Sequence, residues 1–97
     1  MTSPRAPGQQ STGRAAAALG LVYLQLHRLP EAEGLLRQAE AGLRQPRERA
    51  AATLARGNLH LARHQPEQAQ AAWAQALAAA PGEADLALAV ELNQLRL

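Results

Sequence analysis

Along this chain apolar residues recur at spacings of three and four, and the recurrence is broken at Pro30, Pro46, Pro66 and the Pro81-Gly82 pair. Spacings of three and four place side chains on one face of a helix. Proline lacks an amide donor and has a fixed φ, so it fits the first turn of a helix or the stretch just past the end of the previous one. The breaks therefore predict five helices, at 13–27, 30–43, 47–63, 66–79 and 83–96. Residues 1–12 carry Pro4, Pro7 and Gly8 among polar residues with nothing to bury. That stretch predicts a disordered tail ending at a helix cap supplied by Ser11 or Thr12.

Composition strengthens the helical reading. Alanine and leucine dominate, Phe and Cys are absent, and β-branched residues are scarce, so the chain is built from the best helix formers. At 97 residues it has room for one small domain, 13–97, with a thin core.

The chain also resembles itself. A shift of 37 pairs Ala15 with Ala52, Ala18 with Ala55, Gly20 with Gly57, Leu24 with Leu61, His27 with His64, Ala32 with Ala69 and Ala39 with Ala76. A shift of 35 also aligns the first helices, pairing Leu19 with Leu54 and Leu24 with Leu59, but it needs two extra residues before Pro66. The longer shift is preferred because it keeps Gly and Ala at the close-packing positions of both helices. A repeat of this length is the mark of stacked helix pairs. The first would run from about 13 to 46 and the second from about 47 to 81, with a closing helix at about 83–96.

Gly57, His60, Ala69, Trp73, Ala76, Leu77 and Pro81 of the second pair, and Leu19, Gly20, Tyr23, Ala32, Leu36 and Ala39 of the first, stand in an order that resembles the tetratricopeptide repeat (TPR) family. The resemblance spans roughly residues 13–96. Thr53, Arg56 and His60 depart from it, standing where that pattern has two apolar residues and an aromatic one. The fold it implies is all-α: an α-α superhelix of two TPR-like helix pairs plus a C-terminal closing helix. It also implies a concave face lined by the first helix of each pair. The groove residues expected there are Leu21, Leu24, Gln25 and Arg28 from the first pair and Leu54, Asn58 and Leu61 from the second. Leu88, Leu92 and Leu95 would join them from the closing helix. Only Asn58 matches the polar clamp with which some members of that family hold a carboxylate. The leucines suit an apolar peptide or an amphipathic helix instead, with Asn58, Gln25 and Arg28 orienting it by hydrogen bonds. Two pairs fall below the three repeats that usually stabilise such a stack, so some leucines are expected to seek a partner surface.

These residues predict a non-catalytic protein–protein interaction module, a scaffold or adaptor whose partner is a protein, a peptide or a second copy of the chain. The competing reading is a self-assembling structural subunit, or a piece of a longer repeat array, with no external ligand. No Gly-rich phosphate loop, Ser-His-Asp ordering or paired carboxylates in an apolar setting suggests an enzyme. Glu31, Glu33, Glu67, Glu83 and Asp85 fall in first turns, where they favour the helix dipole. His60 and His64 have ligand spacing, but no Cys or nearby acid completes a set, and no metal, cofactor or small-molecule substrate is expected. His27 and His64 are read instead as closing the first helix of each pair. All ten basic residues are arginine, nearly balanced by eight acids, and the densest cluster, Arg44, Arg47 and Arg49, is interrupted by Glu48, so nucleic-acid binding is not expected. The apolar run Ala15–Leu24 is too short to span a bilayer, which needs about 20 residues, and a cytoplasmic protein is expected. Arginine without lysine, in an alanine-rich chain, points to a GC-rich bacterial coding sequence.

Overall fold

A computed structural model describes residues 5–97, with side chains from Thr12 onward. Five α-helices follow one another: α1 (Arg5–Gln25), α2 (Leu29–Gly42), α3 (Pro46–Ala62), α4 (Pro66–Ala79) and α5 (Ala84–Gln94). They form an α-α superhelical stack in which α1 packs on α2, α3 on α4, and α2 on α3, with α5 set against α3 and α4. The result is a slab of 51 × 31 × 17 Å. Among the described residues, no helix is long and apolar enough to cross a membrane.

Four of the five expected helices lie within a few residues of their predicted bounds, and the prolines explain why. Pro30 is the second residue of α2, and Pro46 and Pro66 are the first residues of α3 and α4. There the amide they lack would have had no acceptor. The first helix differs. Residues 1–4 lie outside the described residues, but the backbone from Arg5 to Thr12, expected as tail, is helical, and the cap expected from Ser11 or Thr12 lies inside α1. Pro7 reads as a breaker in sequence, yet it is the third residue of α1, within the first turn where a missing amide costs nothing.

The repeat of 37 holds in three dimensions. Gln25 and Ala62 end α1 and α3, Leu29 and Pro66 begin α2 and α4, and Gly42 and Ala79 end them, each pair 37 residues apart. The turns between them are equally matched. His27 and His64 have φ of 62° and 61°. In the first turn the Arg28 amide donates to the Tyr23 carbonyl at 2.8 Å and the His27 amide to the Leu24 carbonyl at 3.0 Å. In the second, the Gln65 amide donates to His60 at 2.9 Å and the His64 amide to Leu61 at 2.9 Å. This double bond pattern is the Schellman closure, in which the residue just past the helix turns left-handed. The shift of 35 would bring His27 to Ala62, a helical residue, and the structure rules it out.

Glycine is the usual occupant of that position, because a side chain there costs roughly 1–2 kcal/mol. Part of this is offset by the greater freedom glycine has in the unfolded chain. His27→Gly and His64→Gly are each expected to stabilise the protein by about 0.5–1 kcal/mol. Urea midpoints of the two variants check this, and a loss of stability in both would count against the closure.

The core is thin and built in layers. Ala32, Leu36, Ala55 and Leu59 form one buried cluster between α2 and α3, and Ala16, Ala39, Leu43 and Ala52 another between α1, α2 and α3. Ala69, Trp73 and Val90 close the far side, with Leu54, Leu61 and Leu77 packed against them. Gly57 is small for a steric reason: a Cβ there would lie 2.5 Å from the Trp73 ring. Helix α5 adds little to this core, Val90 being its one buried residue.

Candidate functional site

The expected groove is assembled only in part. Leu21, Leu24 and Gln25 of α1 and Asn58 of α3 line one hollow of about 390 Å³, together with Ala62 and Arg96. Helix periodicity puts Leu21 and Gln25 to one side of the face that Gly13, Ala16 and Gly20 turn toward α2, whereas Leu24, four residues after Gly20, stays on that face and also packs against the buried Ala32, Leu36, Ala55 and Leu59. The hollow is mostly apolar along α1, with amide and guanidinium groups from Gln25, Asn58 and Arg96 around it. Asn58 is partly committed: its side-chain oxygen accepts a hydrogen bond from Trp73 Nε1 at 3.1 Å, which leaves its amide hydrogens for other contacts.

The remaining expected residues are placed elsewhere. Leu61 packs against the Ala69, Trp73 and Val90 cluster. Leu54 bridges that cluster and the one around Ala50, Ala76 and Ala80. It also borders a second hollow, of about 250 Å³, with Ala51, Leu86 and Ala89 and the charged residues Arg47, Glu83 and Asp85. Leu88 and Leu92 on α5 and Leu95 just past its end are exposed, Leu95 to 83%, and border neither hollow. Arg28 is exposed in the turn after α1 and borders neither hollow. Helix α5, whose position the repeat does not encode, packs on α3 and α4, and its Val90 joins the cluster against which Leu54 and Leu61 pack.

The departures from the repeat pattern have a physical explanation. Arg56 Nε donates to Glu40 Oε2 at 2.6 Å, and its Nη2 reaches Glu40 Oε1 at 3.2 Å. Thr53 Oγ1 lies 3.1 Å from the same Glu40 Oε1 and 3.0 Å from the Arg49 carbonyl, two acceptors that share its one hydrogen. The two residues that replace apolar ones on α3 thus hold one carboxylate on α2, largely shielded from water. A second bridge spans the same interface: Arg63 Nη1 donates to Glu33 Oε1 at 2.7 Å, while Arg37 holds Glu33 Oε2 at 3.1 Å. Glu33 was expected as a first-turn charge serving the helix dipole; its chief partners are these arginines. His60, standing at an aromatic position, uses Nδ1 toward Gln65 Oε1 at 2.8 Å and so ties α3 to the turn.

Hydrogen bonds from Arg63 and then Arg37 hold the Glu33 carboxyl below its ordinary range, against a smaller opposing effect of burial. A carboxyl with a lowered folded-state pKa contributes stability above its unfolded value, about 4.3, and that contribution is lost as pH falls through the folded value. Glu33→Gln is therefore expected to cost stability at pH 6, and the gap to the parent protein should close as pH falls below 4. A gap independent of pH from 6 to 3 in urea titrations would exclude the charged pair as its cause.

Compared with protein-family models, with curated proteins and with solved structures, the chain finds no match.

Proposed function

We propose that this chain is a non-catalytic protein–protein interaction module of TPR-like design, a scaffold or adaptor acting in the cytoplasm, that takes an apolar peptide or helix in the hollow between α1 and α3. The observation that carries this reading is the hollow itself. Leu21 and Leu24 offer apolar surface beside Gln25, Asn58 and Arg96, so apolar and polar surface stand side by side in comparable measure, which suits a segment that joins an apolar anchor to polar groups. Arg96 adds a cation, so a ligand with an acid near its apolar anchor fits best.

The test is selection of peptides from a random library on immobilised protein, with each recovered peptide then titrated against Leu21→Glu. Leu21 is about half exposed, so the substitution buries no charge. Apolar peptides that lose at least tenfold in affinity on Leu21→Glu are the expected result. A library yielding no peptide sensitive to Leu21→Glu would remove the groove from consideration.

The self-assembling reading has its own support in Leu88 and Leu92 of the last helix and Leu95 at its end, all exposed. Molar mass by light scattering over a hundredfold concentration range separates the two. A constant 10.3 kDa fits an adaptor, and a larger mass that Leu88→Glu with Leu95→Glu returns to 10.3 kDa fits a structural subunit.

A further inference from the structure

The repeat makes one comparison possible that neither hollow enters. On α3, the residues facing α2 are Ala52, Ala55, Arg56, Leu59 and Arg63. The three apolar ones are at most 4% exposed, and the two arginines are held by Glu40 and Glu33 of α2. Thirty-seven residues earlier, the equivalent positions on α1 are Ala15, Ala18, Leu19, Val22 and Leu26. All five are exposed, and Leu26 reaches 61%. They form one stripe, because their spacings of three, four, seven and eleven keep them within roughly a third of the helix circumference. The stripe is the same surface that α3 hides beneath α2, with leucine substituted for each arginine.

The chain itself shows how a covering helix answers such a change. Helix α2 has Glu33 and Glu40 where α3 presents arginines. At the equivalent positions α4 has Gln70 and Leu77, and Leu77 packs against the cluster of Ala69, Trp73 and the α5 residue Val90. Acid stands against arginine, and an apolar side chain stands against an apolar neighbour.

From this we infer that the outer stripe of α1 is a docking face for an amphipathic α-helix from another protein, seated as α2 is seated on α3. The occupant carries small or branched apolar residues at the spacing of Ala32, Leu36, Ala39 and Leu43. At the two positions that Glu33 and Glu40 hold on α2 it carries apolar side chains, opposite Leu26 and Leu19. An acid at either position would be pressed against leucine with no arginine to meet it, which disfavours α2-like helices that keep their glutamates. The face is distinct from the hollow lined by Leu21, Leu24 and Gln25, so the adaptor reading can fail without it.

The probe is a fluorescent peptide of this chain's own residues 29–43 with Glu33→Leu and Glu40→Leu, titrated with the whole protein and compared with the unaltered peptide. The leucine peptide is expected to saturate and to bind at least tenfold more tightly than the unaltered one. Val22→Glu and Leu26→Glu are each expected to weaken it at least tenfold, while Ala74→Glu, on an exposed position of α4, leaves it unchanged. Far-UV circular dichroism verifies that each variant is folded, and two separate stripe variants keep the test decisive if one is not. No saturable binding, equal binding of the two peptides, or binding indifferent to both stripe variants would overturn the inference. So would a doubled mass of the protein alone that Val22→Glu returns to 10.3 kDa, since the face would then belong to a second copy.

Discussion

Trp73→Ala lowers the stability of this protein by about 3–5 kcal/mol, the range for an aromatic side chain removed from a closed core. Trp73 is fully buried, and it touches two other helices: α5 at Val90, and α3 at the Gly57 backbone and at Asn58, which accepts its indole hydrogen. A domain of this size has a total of about 5–15 kcal/mol, so the variant is left near the edge of folding. The same ring forbids growth at Gly57. Gly57→Ala places its Cβ 2.5 Å from the indole, with the Ala69 carbonyl 3.1 Å away on another side. About 1–3 kcal/mol is expected for that overpacking. Because the indole is the closer of the two contacts, the Gly57→Ala penalty should shrink by at least about 1 kcal/mol in a Trp73→Leu background. Urea unfolding followed by circular dichroism is the appropriate measurement, as the only tryptophan is the residue being changed. Strict additivity of the two substitutions would mean that Gly57 is small for some other reason.

The second large effect lies in the α2–α3 interface. Glu40→Leu is expected to cost about 1.5–3 kcal/mol, because it leaves the Arg56 guanidinium in a partly dry seam with only the Gln75 side-chain oxygen at 3.3 Å, while the Thr53 hydroxyl keeps the Arg49 carbonyl at 3.0 Å. Arg56 is only 18% exposed at its side chain, which places this pair well above a surface ion pair. Adding Arg56→Leu should return the protein to within about 1 kcal/mol of the parent, since replacing both charged partners by packed apolar groups is close to neutral. If the double variant were no better than Glu40→Leu alone, the cost would belong to leucine packing rather than to the stranded cation.

Much of this architecture is legible in the sequence, and particular residues show why. Pro30, Pro46 and Pro66 marked helix starts because a missing amide is tolerated in only a few places, and the pairing of His27 with His64 chose the correct repeat length. The features that escaped share a cause: they depend on what lies across an interface. Thr53 and Arg56 looked like flaws in an apolar pattern until Glu40 was found opposite them. Leu54 and Leu61 belong to the stripe expected to line the groove, yet neighbours from other elements partly cover both. Pro7 misled for a different reason, since a proline in a first turn and a proline in a tail are the same letter, and only the residues before it decide between them.

Each helix in this stack meets chiefly the helices next to it in sequence, and the turns after α1 and α3 are closed by bonds within five residues. Few long loops need to be closed during folding, which is the topology of rapid folding. It also divides the free energy into local shares rather than one common core. Amide exchange would then be graded along the chain instead of uniform, fastest in α5, where Val90 alone is buried, and slowest where α2 meets α3. Under tension applied at the termini the same molecule would come apart one hairpin at a time, in steps whose order follows its sequence.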